Sequence, residues 1–87
     1  MLTIKQLREK IKKTDADIIK KLAMREKLAR KIGKLKIKSG KKVIDLAREK
    51  ELMRYYKKLS IQYQLQPSFV IWLFKSIISQ SRKVQKN

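Results

Sequence analysis

The sequence predicts an all-α fold: three helices, one long at the N-terminus and two shorter. Three observations carry this. Two Gly, one Pro and no Cys in 87 residues leave little chain for turns and none for a disulfide framework. Apolar residues recur at helical rather than strand spacing. Lys, Ile and Leu, all compatible with helices, dominate the composition, and Glu and Ala add to it. A chain of this length makes one domain, residues 1–87, and by itself buries only a modest core.

The first helix is expected over about residues 2–38. Ile4, Leu7, Ile11, Ile18, Leu22, Ala29, Ile32 and Leu35 form its stripe, and no Pro interrupts it. The alternative is a break at Thr14-Asp15-Ala16-Asp17, which resembles a helix cap with an acid three residues on. Ser39-Gly40-Lys41-Lys42 is the first clear stop, because Gly adopts the left-handed conformation that ends helices. Asp45 then reads as the cap of a second helix over about 45–63, with Leu52, Tyr56, Leu59 and Tyr63 on its inner face. Gln64-Leu65-Gln66 is a short turn, and Pro67 opens a third helix over about 67–85. That helix is expected to bury Val70, Leu73, Phe74, Ile77 and Ile78, with Trp72 read as packing.

An unbroken first helix of about 35 residues is roughly 50 Å long. A compact monomer of this size would be only about 30 Å across. The excess apolar stripe needs cover, and a second copy of the chain across a two-fold axis supplies it. The expectation is a homodimer in which two long helices share one core.

Charge and composition exclude several function classes. With no Cys there is no thiolate chemistry, and with no His there is no imidazole base and little prospect of a zinc site. Seven acidic residues, none clustered as paired aspartates, argue against a dedicated Mg or Ca site. No cofactor and no metal are expected. Phe69 to Phe74 is the longest apolar run and is too short to span a bilayer. Met1 to Lys13 has no continuous apolar stretch, so a cytoplasmic location is expected. The net charge of +18 suits a solvated Lys-rich face, non-specific attraction of nucleic acid, or faster encounter with a small anion.

The arginines narrow this choice. Of 25 basic residues only Arg8, Arg25, Arg30, Arg48, Arg54 and Arg82 are Arg. In a chain that otherwise uses Lys, Arg at 8, 25 and 48 suggests positions needing a planar, two-pronged grip on a carboxylate. Arg25, Ala29, Ile32 and Lys36 share one stripe. Eleven residues are about three turns, so Arg25 and Lys36 face the same way about 16 Å apart, over the small Ala29. That gap suits a small dianion; the plainer alternative is that both side chains snorkel from the core rim. Asp45, Arg48 and Glu49 share a face at the start of helix 2, as site residues or as a cap with local ion pairs. Ser81 and Gln85 extend the apolar stripe of helix 3, as a pocket or as a fraying end. Arg8 lies about 25 Å from Arg25 on the same helix, so both serve one site only if Arg8 comes from the other protomer.

Taken in order, Leu7-Arg8-Glu9-Lys10-Ile11, Arg25-Glu26-Lys27-Leu28-Ala29, Ile32-Gly33-Lys34-Leu35-Lys36 and Val43-Ile44-Asp45-Leu46-Ala47-Arg48-Glu49 resemble the all-α chorismate mutase family. The resemblance runs from about residue 5 to 85 and takes in Ser81 and Gln85. Lys42 stands where the family often has Pro, and Ala47 where an acid is frequent; neither falls on a ligand position. The resemblance implies an intertwined six-helix homodimer. It implies that Arg25, and Arg8 of the partner chain, hold the two carboxylates of chorismate. It implies that Lys36 and Gln85 hydrogen-bond the ether oxygen, and that the Asp45 and Glu49 region receives the ring hydroxyl. Arg48, through acidic neighbours, and Ser81, through a substrate carboxylate, complete the pocket.

The implied reaction is the isomerisation of chorismate to prephenate in phenylalanine and tyrosine biosynthesis. It is an intramolecular Claisen rearrangement needing no nucleophile, base, metal or cofactor. Three other readings compete. One is an isochorismate-pyruvate lyase on the same fold. Another is a basic helical nucleic-acid-binding protein, although only Tyr55-Tyr56-Lys57-Lys58 interleaves rings with cations. The third is a purely structural helical dimer, which gives no reason for the ordered series of polar positions.

Overall fold

The computed structural model describes residues 1–86. Three helices account for nearly all of them: α1 (Ile4–Ser39), α2 (Leu46–Gln62) and α3 (Pro67–Lys86). Among the described residues there is no strand.

The first helix starts two residues later than the apolar pattern suggests, because Thr3 caps it. The Thr3 hydroxyl accepts from the Gln6 backbone N–H at 3.1 Å, and the Gln6 side chain accepts from the Thr3 N–H at 2.8 Å. Two of the first-turn donors, which have no helical partner, are thereby satisfied. The helix is unbroken at Thr14, whose hydroxyl donates back to the Lys10 carbonyl at 2.9 Å instead of capping a new start. Gly40 ends α1 at φ 69°, the left-handed value that costs a side chain most. Asp45 caps α2, its carboxylate accepting from the Arg48 N–H at 3.0 Å. The α2–α3 turn closes through the Leu65 N–H donating to the Ser60 carbonyl at 2.8 Å.

Helix α3 lies between the other two. It packs on α1 along one side and on α2 along the other, and α1 and α2 do not approach each other. The α2–α3 seam holds Tyr56, Val70 and Ile78, flanked by Leu52, Met53, Ile71 and Phe74. The rings of Tyr56 and Phe74 stack with centroids 4.1 Å apart. Along the α1–α3 seam the buried α1 residues are Ala29 and Gly33. Gly33 is required there: a Cβ would sit 2.5 Å from the Gln85 carbonyl oxygen and 2.7 Å from its Cα.

Several residues expected in the core are not in it. Tyr63 is 67% exposed, because it is the residue that ends α2 rather than a member of its packed face. Trp72 is 64% exposed and Leu73 also faces outward, while Val70 and Ile78 are buried. Only one stripe of α3 meets α2, and Trp72 lies off it. On α1, Ile4, Leu7, Ile11, Ile18 and Leu22 all remain exposed. The resulting shape is elongated, 57 × 24 × 15 Å, with a radius of gyration of 16.3 Å. A compact chain of this length would have about 12 Å. No helix among the described residues is long and apolar enough to cross a membrane.

Candidate functional site

Because α1 and α2 meet only through α3, a trough opens between them. It is a cavity of about 560 Å³, floored by Ala29, Tyr56 and Ile78 and rimmed by charged and polar side chains. Its volume falls in the range that holds a small metabolite.

Helix α1 contributes Arg25 and Lys36 to this cavity, on either side of Ala29 and Ile32. The Arg25 guanidinium donates to the Ser81 hydroxyl on α3. That hydroxyl donates in turn to the Ile77 carbonyl one turn back, at 3.1 Å. Ser81 therefore fixes one prong of Arg25 and leaves the other guanidinium donors to face the cavity.

Lys36 is held from two directions. Its Nζ donates to the Val43 carbonyl of the α1–α2 connection at 2.7 Å and to Gln85 Oε1 on α3 at 3.0 Å. An ammonium has three protons, so one remains for a ligand. An ammonium can only donate, so Gln85 must turn its oxygen toward Lys36, and its amide N–H groups stay available. Two donors of different charge thus meet at one end of the trough. The close approach at Gly33 is what brings them together, since Gln85 can meet Lys36 only if α3 rests directly on the α1 backbone.

Helix α2 brings Asp45, Arg48 and Glu49 to the opposite rim. Asp45 and Arg48 follow the cap and local ion pairing that their spacing allows, and Glu49 does not. Asp45 spends one carboxylate oxygen on the α2 cap. Arg48 pairs along the exposed surface with Glu51 at 3.2 Å. Glu49 is gripped by Arg82 of α3, with the Arg82 Nε at 3.0 Å from Oε2 and Nη2 bonded to Oε1.

Arg25, Lys36, Asp45, Arg48, Glu49, Ser81 and Gln85 therefore border one cavity. Arg8 does not: it is exposed on the protruding half of α1. Sequence reasoning missed three contributors. Arg82 was signalled by the scarcity of Arg, and Gly33 by its place in a helix interior, where Gly costs about 1 kcal/mol relative to Ala. The Val43 carbonyl carried no signal, because any residue offers one.

Comparison with known proteins follows the same residues. Residues 7–86 match the family described as chorismate mutase type II. The chain is 34% identical over 79 residues to the bifunctional chorismate mutase/prephenate dehydratase of Buchnera aphidicola subsp. Acyrthosiphon pisum (strain APS), covering 91% of this chain and 20% of that protein. It is 35% identical over 80 residues to the bifunctional chorismate mutase/prephenate dehydratase of Escherichia coli (strain K12), covering 92% of this chain and 21% of that one. The chain thus spans about a fifth of the length of these relatives.

Proposed function

The chain belongs to the chorismate mutase type II family, and from that premise we propose that it isomerises chorismate to prephenate in the trough between α1 and α2. One observation carries the reading most directly. Lys36 and Gln85 are joined at 3.0 Å at one end of a cavity whose rim also bears Arg25.

The rearrangement breaks the ether C–O bond while a C–C bond forms, within one molecule. No proton has to move in that step. The enzyme's task is to hold the enolpyruvyl arm over the ring and to stabilise the charge that builds on the ether oxygen. Arg25, braced by Ser81, grips one carboxylate. Anchoring both ends of the substrate confines it to the reactive conformer, with the bond-forming carbons held close together. The ether oxygen becomes more negative as its bond to carbon stretches. The free N–H of Lys36 and the amide of Gln85 therefore bind the transition state more tightly than the ground state. Lys36 bears a full charge and contributes more than the neutral Gln85. Glu49, with Asp45 near it, accepts the ring hydroxyl. Arg48 borders the trough and completes it through its acidic neighbours, of which Glu51 holds it at 3.2 Å. Ser81 assists at the carboxylate, its proton swinging from the Ile77 carbonyl to the substrate oxygen.

The second carboxylate requires a further cation. Arg8 of a second copy meets that need, in an intertwined six-helix homodimer with two equivalent sites. The exposed stripe from Ile4 to Leu22 supports this arrangement, since a second copy would cover it. The reading places the reaction in the cytoplasm, in phenylalanine and tyrosine biosynthesis, with no membrane and no specific nucleic acid involved.

The decisive experiment incubates the purified protein separately with chorismate and with isochorismate. Prephenate from chorismate is expected. Salicylate and pyruvate from isochorismate, without prephenate formation, would assign the trough to the lyase. Steeply salt-dependent binding to duplex DNA with no turnover of either substrate would overturn the enzymatic reading.

A further inference from the structure

Glu49 is a carboxylate on the rim of a cavity proposed to take a dianion. Unpaired, it would repel that ligand and swing through several rotamers. The structure gives it a partner from another helix. Arg82 meets both of its oxygens, one through Nε and one through Nη2. The pair is half-buried, with 35% of the Arg82 side chain and 21% of the Glu49 side chain exposed. A two-pronged grip fixes the plane of the carboxylate as well as its position, which a lysine could not do. About half of the acceptor capacity of a carboxylate stays open after two such bonds.

The pair is also a wall. Glu49, Ile78 and Arg82 border the main trough on one side and a separate groove of about 390 Å³ on the other. That groove reaches outward past Met53 and Lys75. The Glu49–Arg82 bridge, with Ile78, separates the two spaces.

The geometry points to Arg82 as a positioning residue: it neutralises Glu49, aims the remaining lone pairs of that carboxylate at the ring hydroxyl of the substrate, and closes the trough on that side. This rests on the reading of the trough as a chorismate site. It assigns Arg82 to recognition of the hydroxyl, which none of the comparisons specifies.

The test compares two substrates, chorismate and the methyl ether of its ring hydroxyl, which cannot donate a hydrogen bond. In Arg82→Met, KM for chorismate is expected to rise roughly tenfold with a smaller change in kcat, the loss typical of one charge-assisted contact. The preference for chorismate over the ether, as a ratio of kcat/KM, is expected to fall by a similar factor. That ratio does not depend on how much of the variant is folded, and Arg82→Gln gives a second reading of it. Arg82→Lys, which reaches one oxygen, is expected to recover part of the loss. In a Glu49→Gln background, Arg82→Met should add less than about twofold, because both act through one carboxylate.

Unchanged KM and unchanged preference in Arg82→Met would overturn the inference. So would an equal loss with and without Glu49. If the unmodified protein does not turn over chorismate, the reading of the site falls and this inference with it. If it does and Arg82 proves indifferent, the inference falls alone.

Discussion

The two halves of α1 share one helix and have opposite surroundings. From Arg25 to Ser39 the helix rests on α3, with Ala29 and Gly33 buried and Arg25 and Lys36 held by side chains of α3. From Ile4 to Met24 no residue is buried, although apolar residues recur along it at helical spacing. The contrast separates two sources of helix stability. The C-terminal half is fixed by contacts within its own chain. The N-terminal half relies on its cap, its local hydrogen bonds and whatever covers its stripe. In proteins most helical stability comes from packing of an amphipathic face, which this half lacks within its own chain. The half without cover is also the half that carries Arg8, and the proposed homodimer would account for both.

Four experiments test this contrast. The largest effect is expected in the covered half. Lys36→Ala should lower kcat by about a thousandfold, or about 4 kcal/mol, while far-UV circular dichroism stays unchanged. A rate near that of the unmodified protein would remove Lys36 from the chemistry. The next effect joins the two halves. Inactive Arg8→Ala and inactive Lys36→Ala chains, mixed and allowed to exchange, should recover roughly a quarter of full activity. Half of the dimers would then be hybrids, each with one of its two sites free of both lesions. Recovery absent from properly exchanged mixtures would show that Arg8 does not complete a neighbour's site.

A smaller effect is expected at the α1–α3 seam. In Gly33→Ala the new methyl group meets the Gln85 backbone, and α3 must shift by a fraction of an ångström or more. Activity should drop roughly 10- to 100-fold, because Gln85 leaves its place beside Lys36. Thermal unfolding should register about 1–3 kcal/mol of overpacking. A fully active Gly33→Ala protein would mean that the seam does not set the donor geometry. The smallest effect belongs to the uncovered end. Thr3→Ala removes one side of the capping box and should cost about 1 kcal/mol in denaturant unfolding, with kcat little changed.

Much of the architecture was legible because helical signals are local. Gly40, Asp45 and Pro67 each act on the backbone beside them, and each stands at a helix boundary. The first helix runs through Thr14 as expected, because a hydroxyl that can cap a helix can equally bond back to the carbonyl four residues earlier. Tyr63 and Trp72 were assigned to a core that a single chain does not form around them. Periodicity tells which residues share a face, and it is silent on whether a neighbour reaches that face. Seven of the eight residues singled out as the site do border one cavity, and Arg8 is the exception. In the proposed homodimer its place would come from a second molecule, which no intrachain contact can specify.

Local chemistry along the chain set the three helices, their order and most of their ends, and the polar positions interrupting the apolar stripes, because spacing and capping operate within a turn or two of chain. The tertiary structure decided which of those positions meet. Helix α3 had to come down on Gly33 before Gln85 could reach Lys36. Helices α2 and α3 had to dock before Arg82 could take Glu49, 33 residues away in sequence. Contacts across such distances follow from the angle at which whole helices pack, and that angle is set by the sum of many small contacts rather than by any one motif.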